Sequence, residues 1–134
     1  MNDIHFPKLT SLASAFIYNE NMISLEAKGL NTENVTSMNA VFSNCKSLTE
    51  EGLDLSTWNT SNVTTMSNMF IDCAKITDYT NILKNFNTEK VKTMDYMFAR
   101  NHSLKTLNLN HFKVPSLTSM QYMIYDLDNL EDFE

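Results

Sequence analysis

Apolar residues along this chain return at a period much longer than that of a helix or a strand. Val35, Met38, Val41 and Phe42 are answered by Val63, Met66, Met69 and Phe70, then by Val91, Met94, Met97 and Phe98, and finally by Leu117, Met120, Met123 and Ile124. A weaker copy begins at Leu9 and continues through Leu12, Ala15 and Phe16. The starts at 9, 35, 63, 91 and 117 are separated by 26, 28, 28 and 26 residues, so the chain reads as one domain, 1–134, made of five copies of one unit. Within each copy the apolar positions fall at i, i+3, i+6 and i+7. That spacing lines one face at a period of 3.6 and predicts a short helix at each start.

A second motif fills each interval. Its clearest form is Leu104, Leu107, Leu109 and Phe112, and the same frame holds Met22, Leu25, Ala27 and Leu30, then Leu48, Leu53, Leu55 and Trp58. The Leu-x-Leu alternation predicts a short half-buried strand. Polar Asn-Thr pairs follow at 31–32, 59–60 and 87–88, residue types that satisfy their own backbone in turns. The third interval breaks the frame, because Asn81 stands where Leu53 and Leu107 stand in the others, and a bulge or register shift is expected there. Strand, turn, helix and turn repeated five times predict an α/β fold. The expected architecture is a right-handed solenoid of leucine-rich-repeat type, with short parallel strands on one face and short helices on the other.

Composition narrows the function. Only two glycines occur, Gly29 and Gly52, where average usage of ~7% would give roughly nine. Phosphate-cradling loops need clustered glycines, so such nucleotide sites are excluded. Seven of the nine methionines occupy the predicted helical slots, which assigns them to a core rather than to an adaptable groove. The net charge of −6 is unevenly placed: residues 1–125 hold eleven acids and ten bases, while Asp126, Asp128, Glu131, Asp132 and Glu134 crowd the last nine positions. No basic footprint for nucleic acid is present and no apolar run reaches membrane-span length, so neither nucleic-acid binding nor membrane insertion is expected.

The pattern Val-Thr-x-Met-x-x-Met-Phe-x-x-Cys at 63–73, preceded by Leu53-Asp54-Leu55-Ser56-Thr57-Trp58-Asn59-Thr60-Ser61-Asn62, resembles the BspA-like leucine-rich-repeat proteins of bacteria, and the resemblance runs over about residues 9–130. It implies a secreted or cell-surface protein that binds other proteins, as in adhesion. Met1 to Pro7 carries no secretory signal, so the chain read as complete is expected in the cytosol.

No constellation points to catalysis, a cofactor or a metal. His5, His102 and His111 share no ligand spacing. Cys45 and Cys73 occupy one slot in adjacent copies, flanked by Asn19 and Asn101, and read as a ladder of small buried donors, with a disulfide as the rarer outcome. The candidates for a partner-binding surface are therefore the outward strand positions Glu26, Lys28, Asp54, Ser56, Lys84, Thr106, Asn108 and Asn110, the aromatic group Tyr96, Tyr122 and Tyr125, and the acids Asp126 and Asp128. The expected function is a non-catalytic protein–protein interaction module. Its rival is an intracellular phage or bacterial effector that blocks a cytosolic protein through the acidic C-terminal end. The open ends of the repeat also suggest pairing with a second copy of the chain.

Overall fold

A computed structural model describes residues 8–134 of the chain, and His5 lies outside the described residues. The α/β leucine-rich-repeat solenoid expected from the sequence is overturned. The described residues contain a single helical turn, α1 (Thr80–Leu83), and two two-residue strands, β1 (Thr106–Leu107) and β2 (Asp132–Phe133). Most of the remainder is turn and irregular coil, so this is a small, mostly coil domain.

The backbone shows why the predicted helices do not form. Five residues after each copy begins, Ser14, Ala40, Asn68, Tyr96 and Tyr122 adopt φ between 55° and 60°. Four residues further on, Tyr18, Asn44, Asp72, Arg100 and Asp126 adopt φ between 57° and 61°. A right-handed helix needs φ near −63° at every residue, so two left-handed residues per copy end it before one turn is complete. Their amides point out of the segment instead of to the fourth residue back. Ala40 N donates to Ser67 O at 2.9 Å, Asn68 N to Asp95 O at 2.8 Å and Tyr96 N to Gln121 O at 2.9 Å. Each copy thus exchanges helical bonds for bonds to the next copy. The apolar spacing of 3, 3 and 1 is met by consecutive turns, which still place Met66, Met69 and Phe70 wholly inside.

Regular pairing is scarce for the same reason. Isolated parallel bridges join Ser11, Ser37, Thr65, Thr93 and Ser119 in sequence, one residue per copy, and these lie in the segments expected to be helical. In the Leu-x-Leu segments single bridges join Leu25 to Leu53 and Asp78 to Thr106, and only β1 and β2 pair over two residues, in parallel. Among the described residues the one helix, α1, occupies the irregular third interval, where a bulged or shifted strand was expected. Adjacent residues of a strand point to opposite faces, whereas Ile82 and Leu83 are both buried, and a helical turn accommodates that.

The core runs from copy to copy. Phe16, Phe42, Phe70 and Phe98 stack with centroids 5.6–5.9 Å apart and interplanar angles of 5–12°. Such pairs contribute ~0.5–1.5 kcal/mol each beyond area burial. Tyr79 inserts edge-on between Phe70 and Phe98, at 4.9 and 5.0 Å. Buried polar groups repeat with the same period: the Thr32, Thr60 and Thr88 hydroxyls donate to the carbonyls of Asn59, Asn87 and Lys113. The Trp58 indole donates to Ala27 O at 3.0 Å. Gly52 is required by proximity: a Cβ there would lie 2.2 Å from Ile23 O and 2.9 Å from Ser24 Cα.

Candidate functional site

The outward positions named from the sequence divide into separate groups. Glu26, Lys28 and Asp54 line a shallow polar depression together with Ser24, Glu51 and Gly52. Lys28 Nζ meets Asp54 Oδ2 at 3.0 Å, and Ser56 N donates to Asp54 Oδ1 at 2.9 Å. The Ser56 hydroxyl and amide, then the Lys28 ammonium, hold the Asp54 carboxyl well below the usual carboxylate range, and the same contact raises Lys28. Lys84 occupies no strand position; it is the C-cap of α1 and is exposed. Thr106 and Asn108 are half-buried beside β2, and Asn110 donates its side-chain amide to Glu134 at 2.6 Å. α1 interrupts the line of strand positions, so these residues do not form one continuous strand face.

The cysteine slot is built as a column of donors. Cys45 Sγ donates to Phe16 O and Cys73 Sγ to Phe42 O, both at 3.2 Å, and both thiols are free and buried. Burial pushes the Cys45 thiol up to about 11 and Cys73 higher still, which keeps both protonated and poorly nucleophilic near neutral pH. Asn101 continues the column. Its amide donates to Phe70 O and Phe98 O, both at 2.8 Å, while its carbonyl accepts from the Tyr79 hydroxyl. Burial, then the neighbouring Cys73, pushes the Tyr79 phenol well above its usual range. Tyr79 is absent from the sequence candidates because no other copy has an aromatic residue in its slot.

The C-terminal end is where exposed apolar groups gather. Tyr96 and Tyr122 stack at 5.2 Å and 18°, and Tyr125 meets Tyr122 edge-on at 5.6 Å. The structure thus unites the three tyrosines picked from the sequence. Tyr122 and Tyr125, but not Tyr96, border a groove of about 510 Å³ lined by Leu109, Phe112, Met120, Met123, Ile124 and Phe133, among others. Met120, Tyr122, Tyr125 and Phe133 are each more than half exposed. Periodicity predicts core positions for Met120 and Ile124. Their slots are core slots in copies two to four, but within the described residues no further copy covers the fifth.

The acids behave differently. Asp128 Oδ2 lies 3.1 Å from His102 Nδ1, and His102, Asp126 and Asp128 bring ligand-type atoms within 4.8 Å of one another. Local ligand spacing in the sequence does not reveal this proximity, because the partners are 24 and 26 residues apart, one copy. His102 is half-buried and both acids are exposed, and the His102–Asp128 pair is an ordinary surface contact. Asp132 belongs to β2, and Glu134 N donates to Leu107 O at 3.0 Å. The last acids therefore flank the apolar groove without covering it.

No helix among the described residues is long and apolar enough to cross a membrane. Comparison with curated proteins gives no match, and comparison with solved structures gives none. Residues 10–133 match the family described as "Mycoplasma protein of unknown function, DUF285", which covers nearly the whole chain. A match over that length shows membership, and the chain belongs to that family.

Proposed function

We propose that the protein is a non-catalytic module that binds other proteins through its C-terminal end. The observation that carries this reading is the apolar groove of about 510 Å³ bordered by Tyr122, Tyr125 and Ile124. Exposed aromatic and aliphatic side chains gathered in one concave surface are the usual anchors of protein association. Tyrosine hydroxyls are the only side-chain polar groups in its lining, a composition suited to apolar contact rather than to proton transfer. The resemblance to BspA-like repeats supports the same role and favours a secreted or surface setting. Asp126 and Asp128 do not belong to this lining, so an effector acting mainly through acidic charge is the weaker reading.

The test compares three baits: the native chain, Ile124→Glu, and a chain with Asp126, Asp128, Glu131 and Asp132 reversed to lysine. Proteins retained by the native bait should be lost with Ile124→Glu and kept with the charge-reversed bait. Retention that survives Ile124→Glu but vanishes on charge reversal would transfer the function to the acidic residues.

A further inference from the structure

The two ends of the molecule are complementary in backbone hydrogen bonding, and we infer that the partner of the C-terminal end is the N-terminal end of a second copy of this chain. This inference rests on the binding role proposed above and names its occupant. Between every pair of neighbouring copies the same four amides donate in the same direction. Met94, Tyr96, Phe98 and Arg100 donate to the carbonyls of Ser119, Gln121, Met123 and Tyr125 at 2.9–3.0 Å. Met66, Asn68, Phe70 and Asp72 donate likewise to Thr93, Asp95, Met97 and Ala99. Carried one copy further, the donors are Met120, Tyr122, Ile124 and Asp126, whose amides find no protein acceptor among the described residues. At the other end the carbonyls of Ser11, Ala13, Ala15 and Ile17 receive no donor among the described residues. They occupy the acceptor slots of the repeated frame. A fifth bond runs the opposite way at each junction, as in Thr118 N to Lys92 O at 2.8 Å, and the matching pair without a partner among the described residues is Thr10 N with Thr118 O.

Side chains match in the same register. Ile124 stands at the end of the Phe16–Phe42–Phe70–Phe98 column with 41% exposure, and Phe16 of a second copy would extend that column. Ala13 and Ala15 are exposed and small, so they present no obstacle to close approach. One register position is repulsive: Asp128 would face Glu20 of the second copy, the slot where Lys46 meets Glu20 at 3.8 Å within the chain. Association is therefore expected to strengthen with added salt, which screens the like charges while favouring apolar contact. Joining one end to the other leaves both outer ends free, so the product is an open head-to-tail series.

Light scattering over a concentration series, at low and high salt, tests this with two blocked variants. Ala15→Glu obstructs the N-terminal end and Ile124→Glu the C-terminal end; both alter exposed side chains, and unfolding curves verify that each remains folded. The native chain should grow in mass beyond a dimer as concentration rises, while each variant alone stays monomeric. Their equimolar mixture should form a dimer and stop there, because each variant retains one free end of opposite kind. A native chain that stays monomeric at every concentration overturns the inference, and so does Ala15→Glu dimerising by itself, which indicates end-to-like-end pairing. If the native chain is monomeric yet the bait comparison above still discriminates, the binding role stands and only the second-copy occupant is lost.

Discussion

Copies two to four and the fifth copy share one sequence frame and meet opposite fates. Phe70 and Phe98 are fully buried between neighbouring rings, whereas Ile124 in the same slot is 41% exposed. Met66 and Met94 are sealed inside and Met120 is 60% exposed. The side chains differ little in hydrophobicity. Within the described residues the difference is a following copy, so burial here is a property of the junction rather than of the residue.

The largest contrast should come from truncation. Phe70→Ala is expected to lower stability by about 3–5 kcal/mol, and Ile124→Ala by less than about 1 kcal/mol. Denaturant unfolding of both variants measures the gap, and equal losses would mean that the last copy is as tightly packed as the middle ones. Next comes Asn101→Leu, which leaves the Tyr79 hydroxyl and the Phe98 carbonyl without their partner, strips Phe70 O of one of its two donors, and should cost about 2–3 kcal/mol. Asn19→Leu, the same change at the exposed end of the column, should cost under about 0.5 kcal/mol.

Gly52→Ala forces a methyl against the backbone of the first copy and should cost about 1–3 kcal/mol, read as a lowered Tm. A neutral result would show that the junction between the first two copies yields easily. Arg100→Gly tests the opposite sign. Arg100 holds φ 61° with an exposed side chain, so glycine should raise stability by about 0.5–1 kcal/mol. The smallest effect is electrostatic. Asp54 has a folded pKa below its unfolded value near ~3.9, so its contribution is present above that pH and fades as the pH falls below it. Because the group lies in solvent, Asp54→Asn should change acid unfolding only slightly, with the loss confined to pH above about 4.

The buried Val, Met and Phe slots and the Asn–Thr turns were legible in the sequence because side-chain burial follows the period. The backbone path was not. Apolar spacing of 3, 3 and 1 fits a helix and a chain of turns equally well. Ala40, Tyr96 and Arg100 are not residues that announce a left-handed conformation, as glycine would have done. The tyrosine group was legible because Tyr96 and Tyr122 share a slot. The groove was hidden, since its lining repeats residues that are core one copy earlier. Tyr79 and the His102–Asp128 contact depend on groups that occur once or lie one copy apart, beyond any local pattern.

The amides of the left-handed residues have a consequence for how the chain reaches this structure. Their acceptors lie in the neighbouring copy, as Ala40 to Ser67 and Asn68 to Asp95 show. No single copy gains these bonds by ordering itself, so folding must first close a loop one copy long. The entropy of that closure is spent before the contacts repay it, which predicts slow folding for a chain of this size. Once one junction exists, its outer copy offers a ready row of acceptors or donors to the next. Growth from an interior junction toward both ends follows, and the fifth copy is the last to be held and the first to fray.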